Sequence, residues 1–157
     1  MQRNPHRTLR VYAASLDLIE RALRATSRVP LRSRHVEDQL LRASTSIAVN
    51  IAEGASEWAA GDKARFYRIA RRSAAEAGAA FDVLARHGVV TRNEADHANS
   101  EIETICAMLT SMIHAAERRR ALSRSNSVQS VPREPAPGTS PVPAVSVPRE
   151  PSPRNGP

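Results

Sequence analysis

The sequence predicts an all-α fold: an up-down-up-down four-helix bundle followed by a disordered, proline-rich C-terminal tail. Three observations carry this. Four segments repeat apolar residues at steps of three and four, and short breaks marked by Pro, Gly or capping residues separate them. No segment alternates apolar and polar residues as a half-buried strand does. Amphipathic helices joined by short connections pack as antiparallel neighbours, so the bundle is expected over residues 1–121 and the tail over 122–157.

The first helix is expected over about residues 5–27. Asn4-Pro5 has the form of an N-cap followed by a first-turn proline, and Leu9, Tyr12, Leu16, Ile19 and Leu23 form its apolar stripe. Val29-Pro30 closes it, because proline pushes the residue before it out of the helical region. The second helix, over about 34–53, has Ser33 as its N-cap and Val36, Leu40, Ala43, Ile47 and Ile51 as its stripe. Gly54 is suited to end it in the left-handed region.

A loop through Trp58 and Gly61 leads to the third helix, expected over about 62–87 with Asp62 as its cap. Phe66, Ile69, Ala70, Ser73, Ala77, Ala80 and Leu84 share one of its faces, and Gly88 ends it. The fourth helix, over about 92–119, opens with Thr91-Arg92-Asn93-Glu94. This is a capping box, in which Thr and Glu each satisfy the other's exposed backbone N–H. Ala95, Ala98, Ile102, Ile105, Leu109, Met112 and Ala116 then hold one unbroken seam.

From about Leu122 the periodicity stops. SVPREPAPGTSPV and SVPREPSPRNGP are near-copies sixteen residues apart, rich in Pro, Ser and Val. Such a segment buries too little surface to offset its ordering entropy, so disorder with polyproline II character is expected. Its proline motifs suit an aromatic-lined groove, or they form a passive extension.

Composition narrows the chemistry. Apolar residues make up 41% of the chain but only five residues are aromatic, so the core must be aliphatic and alanine-rich. With Cys106 alone no internal disulfide can form, and a reducing cytoplasm is the expected home. No apolar run approaches the roughly 20 residues of a membrane span, and the N-terminal segment lacks the apolar stretch of a secretory signal.

Charge is unevenly distributed around a net +7. Residues 1–72 hold fourteen Lys and Arg against seven Asp and Glu; residues 73–117 hold two against seven; residues from Arg118 onward hold seven against two. A basic front half and basic tail around an acidic segment suit polyanion contact, subunit complementarity, or both, with plain solubility as the bland alternative.

Little in the sequence suits an enzyme. Glu94 and His97 match one Glu-x-x-His motif of a carboxylate di-iron bundle, but such sites need two copies and two further glutamates, and Glu94 is already a cap. Cys106 lies beside the Ile105/Leu109 seam, as an inert buried thiol does. The GASEWAAG segment lacks the lysine and preceding strand of a phosphate loop. No catalytic residue, metal or cofactor is expected.

Surfaces say more. On helix 1, Arg10, Arg21, Arg24 and Arg28 fall on one outward strip with Arg3 and Arg7; on helix 3, Arg65, Arg68 and Arg72 recur, with Arg71 nearby. Arginine rows on rigid helices pair with successive phosphates and release counterions, which gives salt-sensitive, sequence-indifferent binding. The bland reading is a solvated face with pairs such as Arg72–Glu76. With so few aromatics, base stacking is expected to contribute little.

Helix 2 has an apolar arc wider than one core requires. Leu41, Ala48 and Ala52 flank its stripe on one side, and Gln39, Ser46, Asn50 and Glu53 on the other. The small residues fit either an exposed strip for self-association or a deeply buried central helix. Buried amides and carboxylates need hydrogen-bond partners, so the polar edge is expected to set helix register rather than to catalyse.

The stretches EDQLLRASTSIAVNIAEGAS, ARFYRIARRSAAEAGAAFDVL and ICAMLTSMI resemble a family of small bacterial four-helix bundles. It includes proteins encoded in intervening sequences of 23S ribosomal RNA genes and the accessory variability determinant of diversity-generating retroelements (Avd-like). The resemblance covers about residues 8–116. It rests on Gln39, Ser46, Asn50, Ile51, Ala52, Glu53 and Gly54, supported by Phe66, Ile69, Ala70, Ser73 and Glu76. Family members usually carry glycine where Arg72 stands; its helical position points outward, leaving close packing to Ser73 and Ala77.

The resemblance implies a homopentamer with a basic outer surface. In the retroelement branch it implies binding to nucleic acid and to a reverse transcriptase, without catalysis. Two functions are therefore expected in competition. One is an oligomeric adaptor holding RNA or DNA backbone; the other is a protein-interaction scaffold of the intervening-sequence branch. What lies beside the gene decides the branch.

Overall fold

The computed structural model describes residues 4–27, 30 and 33–129, with side chains as far as Ser125. Arg3, Arg28, Val29 and the expected tail over 130–157 with its repeat lie outside these residues. Among the described residues a 3₁₀ turn, Pro5–Thr8, precedes four helices: α1 Arg10–Thr26, α2 Arg34–Ser56, α3 Ala60–Arg86 and α4 Arg92–Gln129. Among the described residues there is no strand.

Contacts between elements run in opposite senses along two seams, α2/α3 and α3/α4. Ser33 at the start of α2 meets His87 just beyond α3, while Lys63 in the first turn of α3 donates to the Ala55 carbonyl near the end of α2. Asp82 pairs with Asn99 and Arg68 with Glu117 across α3 and α4. Arg21 of α1 pairs with Glu101 of α4. This pattern is compatible with an up-down-up-down bundle, and α3 packs extensively on both α2 and α4.

The core is aliphatic and alanine-rich. α2 buries all five expected stripe residues, Val36, Leu40, Ala43, Ile47 and Ile51. α4 buries Ala95, Ala98, Ile102, Ile105, Leu109 and Ala116 as expected; Ile113 occupies the inward position next to Met112, which packs at the edge. In α3 the buried face turns toward Tyr67, Ala74 and Phe81, leaving Phe66 half-buried and Ile69 exposed.

α1 is the main correction. Its inward residues are Val11, Ser15, Leu18, Ala22 and Thr26, whereas Leu16 and Leu23 of the expected stripe are 43% and 54% exposed. Two apolar rows interleave on this helix, and the row with smaller side chains lets it lie closer to its neighbours. Ser15 and Thr26 disguise that row as polar. Their hydroxyls donate to the Tyr12 and Leu23 carbonyls of the same helix, so they enter the core already satisfied.

Helix ends differ in similar local ways. Thr91 and Glu94 form the expected capping box, with Thr91 N–H donating to Glu94 Oε2 at 2.7 Å and Glu94 N–H to Thr91 Oγ1 at 3.2 Å. Gly88, at φ 71°, closes α3 with Gly88 N–H on the Ala85 carbonyl and Val89 N–H on the Leu84 carbonyl, a Schellman motif. Gly54 does not close α2, which continues to Ser56; it is buried under the Tyr67 ring, which would stand 2.5 Å from a Cβ there. α3 begins at Ala60, placing Asp62 within its first turn, where its charge still suits the helix dipole. Ser33 stands at the N-cap position of α2 but spends its hydroxyl on His87 Nδ1 at 2.8 Å. Pro5 starts only the 3₁₀ turn, because extended Leu9 separates that turn from α1.

α4 runs to Gln129, past its expected end at 119, so residues 122–129 are helical rather than tail. No Pro or Gly interrupts the chain between Gly88 and Pro132, so nothing breaks the helix that the favourable run Glu117–Leu122 propagates. From Glu117 to Ser125 every residue is exposed, so the helix projects beyond the core it helps to build.

Candidate nucleic-acid interface

The cationic row of α3 starts one turn into the helix. Arg65, Arg68, Arg71 and Arg72 are all exposed. Arg65 places its guanidinium 4.6 Å from the centre of the Phe66 ring. Arg68 pairs with Glu117 of α4, and Arg71 donates to Thr110 Oγ1 at 3.1 Å. Arg72 approaches Glu76 at 3.4 Å but keeps 84% of its side chain in solvent, so it points outward as its helical position predicts. Exposed i,i+4 pairs of this kind contribute little and leave the charge available.

Antiparallel packing adds a second row. Because Arg68 meets Glu117, the exposed run Arg118, Arg119 and Arg120 lies beside the first turns of α3. Forty-five residues of intervening sequence separate the two rows in the chain, and the fold brings them to the same half of the bundle. Sequence reasoning placed Arg118–Arg120 at the end of the bundle but did not count them among the contact arginines. The signal was the helix-favouring run Glu117–Leu122 directly beyond Ala116.

The arginines of α1 are dispersed by comparison. Arg10 is exposed. Arg24 approaches Glu20 at 3.3 Å on the surface. Arg21 is half-buried, donating through Nε to Glu101 Oε2 at 2.9 Å; this hydrogen bond holds the guanidinium still further into its charged range. It fastens α1 to α4. Arg28 lies outside the described residues.

The polar motif forms a seam between α2 and α3. Ser46 Oγ and Ser73 Oγ lie 2.9 Å apart, and Asn50 Nδ2 donates to the Ser46 carbonyl at 2.8 Å and to Ser46 Oγ at 3.1 Å. These three side chains come together. Gln39, Glu53 and Glu76 do not join them: Gln39 accepts from Arg42 on the surface, Glu76 faces Arg72, and Glu53 is exposed.

The expected association strip changes composition. Ala48 is only 6% exposed, because it packs inside its own bundle. Leu41 packs partly against the core, and Ala52 is half-buried. Exposed Val49 adjoins Leu41, Thr45, Ser46 and Asn50 in an open surface patch. Cys106 is half-buried, and burial pushes its thiol above the ordinary range despite the opposing pull of nearby Arg71. It suits packing rather than nucleophilic chemistry.

These features define a small all-α bundle with a hydroxyl-and-amide seam between its central helices and a guanidinium-rich end. The chain matches the family model of the 23S rRNA-intervening sequence protein over residues 7–111, and it belongs to that family. A solved structure from Bacteroides thetaiotaomicron, a protein of unknown function from the S23 ribosomal protein family, superposes with a TM-score of 0.61 at 25% identity. The match covers 66% of this chain and 95% of that one. No curated protein matches. Among the described residues no helix is long and apolar enough to cross a membrane.

Proposed function

We propose that this protein is a non-enzymatic, homo-oligomeric accessory factor of the cytoplasm that binds the phosphate backbone of RNA or DNA. One observation carries the reading: the α3 row Arg65, Arg68, Arg71 and Arg72 and the α4 run Arg118, Arg119 and Arg120 lie in the same half of the bundle. Rigid helices space such charges to meet successive phosphates, with affinity supplied by counterion release. The resemblance to the retroelement branch supports a reverse transcriptase as the enzyme assisted. Exposed Leu16, Leu23 and Val49 support self-association, with a pentamer as the family-derived stoichiometry.

Filter binding across a salt series tests the reading. The wild-type protein is expected to lose affinity steeply as salt rises, with little dependence on base sequence. Arg65, Arg68 and Arg72 replaced together by Ala should flatten the logarithmic slope by up to about three contacts. Absence of binding in dilute buffer would overturn it.

A protein scaffold is the second reading, favoured by a specific observation. Arg21–Glu101 and Arg68–Glu117 show that guanidinium–carboxylate pairing already fastens helices within this fold. An acidic helix of a partner would meet the same surface, and that reading predicts no nucleic-acid binding.

A further inference from the structure

The loop between α2 and α3 places Trp58 with 99% of its surface exposed, at the mouth of an open groove of about 770 Å³. The groove is formed by the first turn of α3 and the projecting end of α4, with Lys63, Arg119, Arg120 and Arg124 supplying cations and Asp62 the one carboxylate. A fully exposed indole has no packing role, so its position beside a cationic wall calls for a different account.

The first turn of α3 supplies more. Its N-cap position is Ala59, which has no side-chain oxygen to bond the exposed N–H groups. Arg120 lies over Gly61 in that turn, its guanidinium carbon 3.5 Å from where a Cβ would stand. The Arg120 guanidinium therefore stands on the groove wall beside the first turn of α3, where Asp62 alone offsets the cations of the groove. Among the described residues Arg120 has no ion pair of its own. Lys63 is held at the edge by its hydrogen bond to the Ala55 carbonyl.

We infer that this groove binds single-stranded nucleic acid, with a phosphate held by the groove's cations, Arg120 among them, and an unpaired base stacked on Trp58. The inference rests on the backbone-binding function and goes further, since the arginine rows alone do not distinguish single strands from duplex. Stacking on an exposed aromatic does, because a paired base keeps its faces covered.

Trp58 is the one tryptophan in the chain, so its fluorescence reports this groove directly. Titration with a single-stranded oligothymidylate should quench the emission, while duplex of equal length and base-free polyphosphate should bind with little quenching. Trp58→Ala, which removes no packing, should weaken oligothymidylate binding by about tenfold and leave duplex affinity unchanged. Equal binding of the oligonucleotide to both proteins without quenching would overturn the groove while leaving backbone binding intact. Failure to bind any nucleic acid would overturn both. A blue-shifted emission that depends on protein concentration alone would assign Trp58 to a contact between copies and overturn the groove as well.

Discussion

Asn50, Ser46 and Ser73 act as one unit, and their geometry sets what single substitutions should do. The Ser46 hydroxyl both meets Ser73 across the helix seam and receives Asn50 from the next turn. Ser46→Ala and Ser73→Ala should each cost about 1 kcal/mol in chemical denaturation, and the double variant distinctly less than the sum. Strict additivity would show that the hydroxyls do not interact. Tyr67 gives a prediction of a different kind. Burial raises its phenol above the ordinary tyrosine value, so the unfolded chain ionises first as pH climbs past about 10. Stability is retained below that value and falls as pH rises toward the folded-state pKa. Tyr67→Phe should therefore melt with a shallower alkaline decline than wild type; parallel curves would contradict the assignment.

Each helix was legible to the extent that its side chains advertised their partners. α2 was read correctly because Val36, Leu40, Ala43, Ile47 and Ile51 are unambiguous and all buried. α1 was misread because Ser15 and Thr26 look polar until their bonds to their own helix are seen, and the larger Leu16 and Leu23 drew the stripe to the wrong face. Gly54 was legible as a special position but not as the right kind. Its meaning depends on Tyr67, thirteen positions away and on another helix, which no local pattern records. Gly54→Ala should lower stability by about 1–3 kcal/mol despite alanine's better helix propensity, since the new methyl meets a buried ring. Gly61→Ala, where the nearest neighbour lies at 3.5 Å, should leave the melting temperature unchanged or raise it. Equal effects at both positions would contradict this account of close approach.

At the scale of the molecule, charge segregation along the chain becomes charge convergence in space. The sequence exposed the arginines of α3, but the contribution of Arg118–Arg120 required knowing that α4 continues as helix and runs antiparallel to α3. The opposite end of the bundle provides a natural control. Arg34, Arg86 and Arg92 lie near the ends of α2, α3 and α4 that Ser33 and His87 bring together. Two triple variants, Arg118/Arg119/Arg120→Ala and Arg34/Arg86/Arg92→Ala, therefore lower net charge equally at opposite ends. The decisive measurement is the salt dependence of their binding to one RNA duplex, compared with wild type. The account predicts a flatter slope and weaker binding for the first variant alone; equal losses in both would mean that net charge, and not the α3/α4 surface, governs binding.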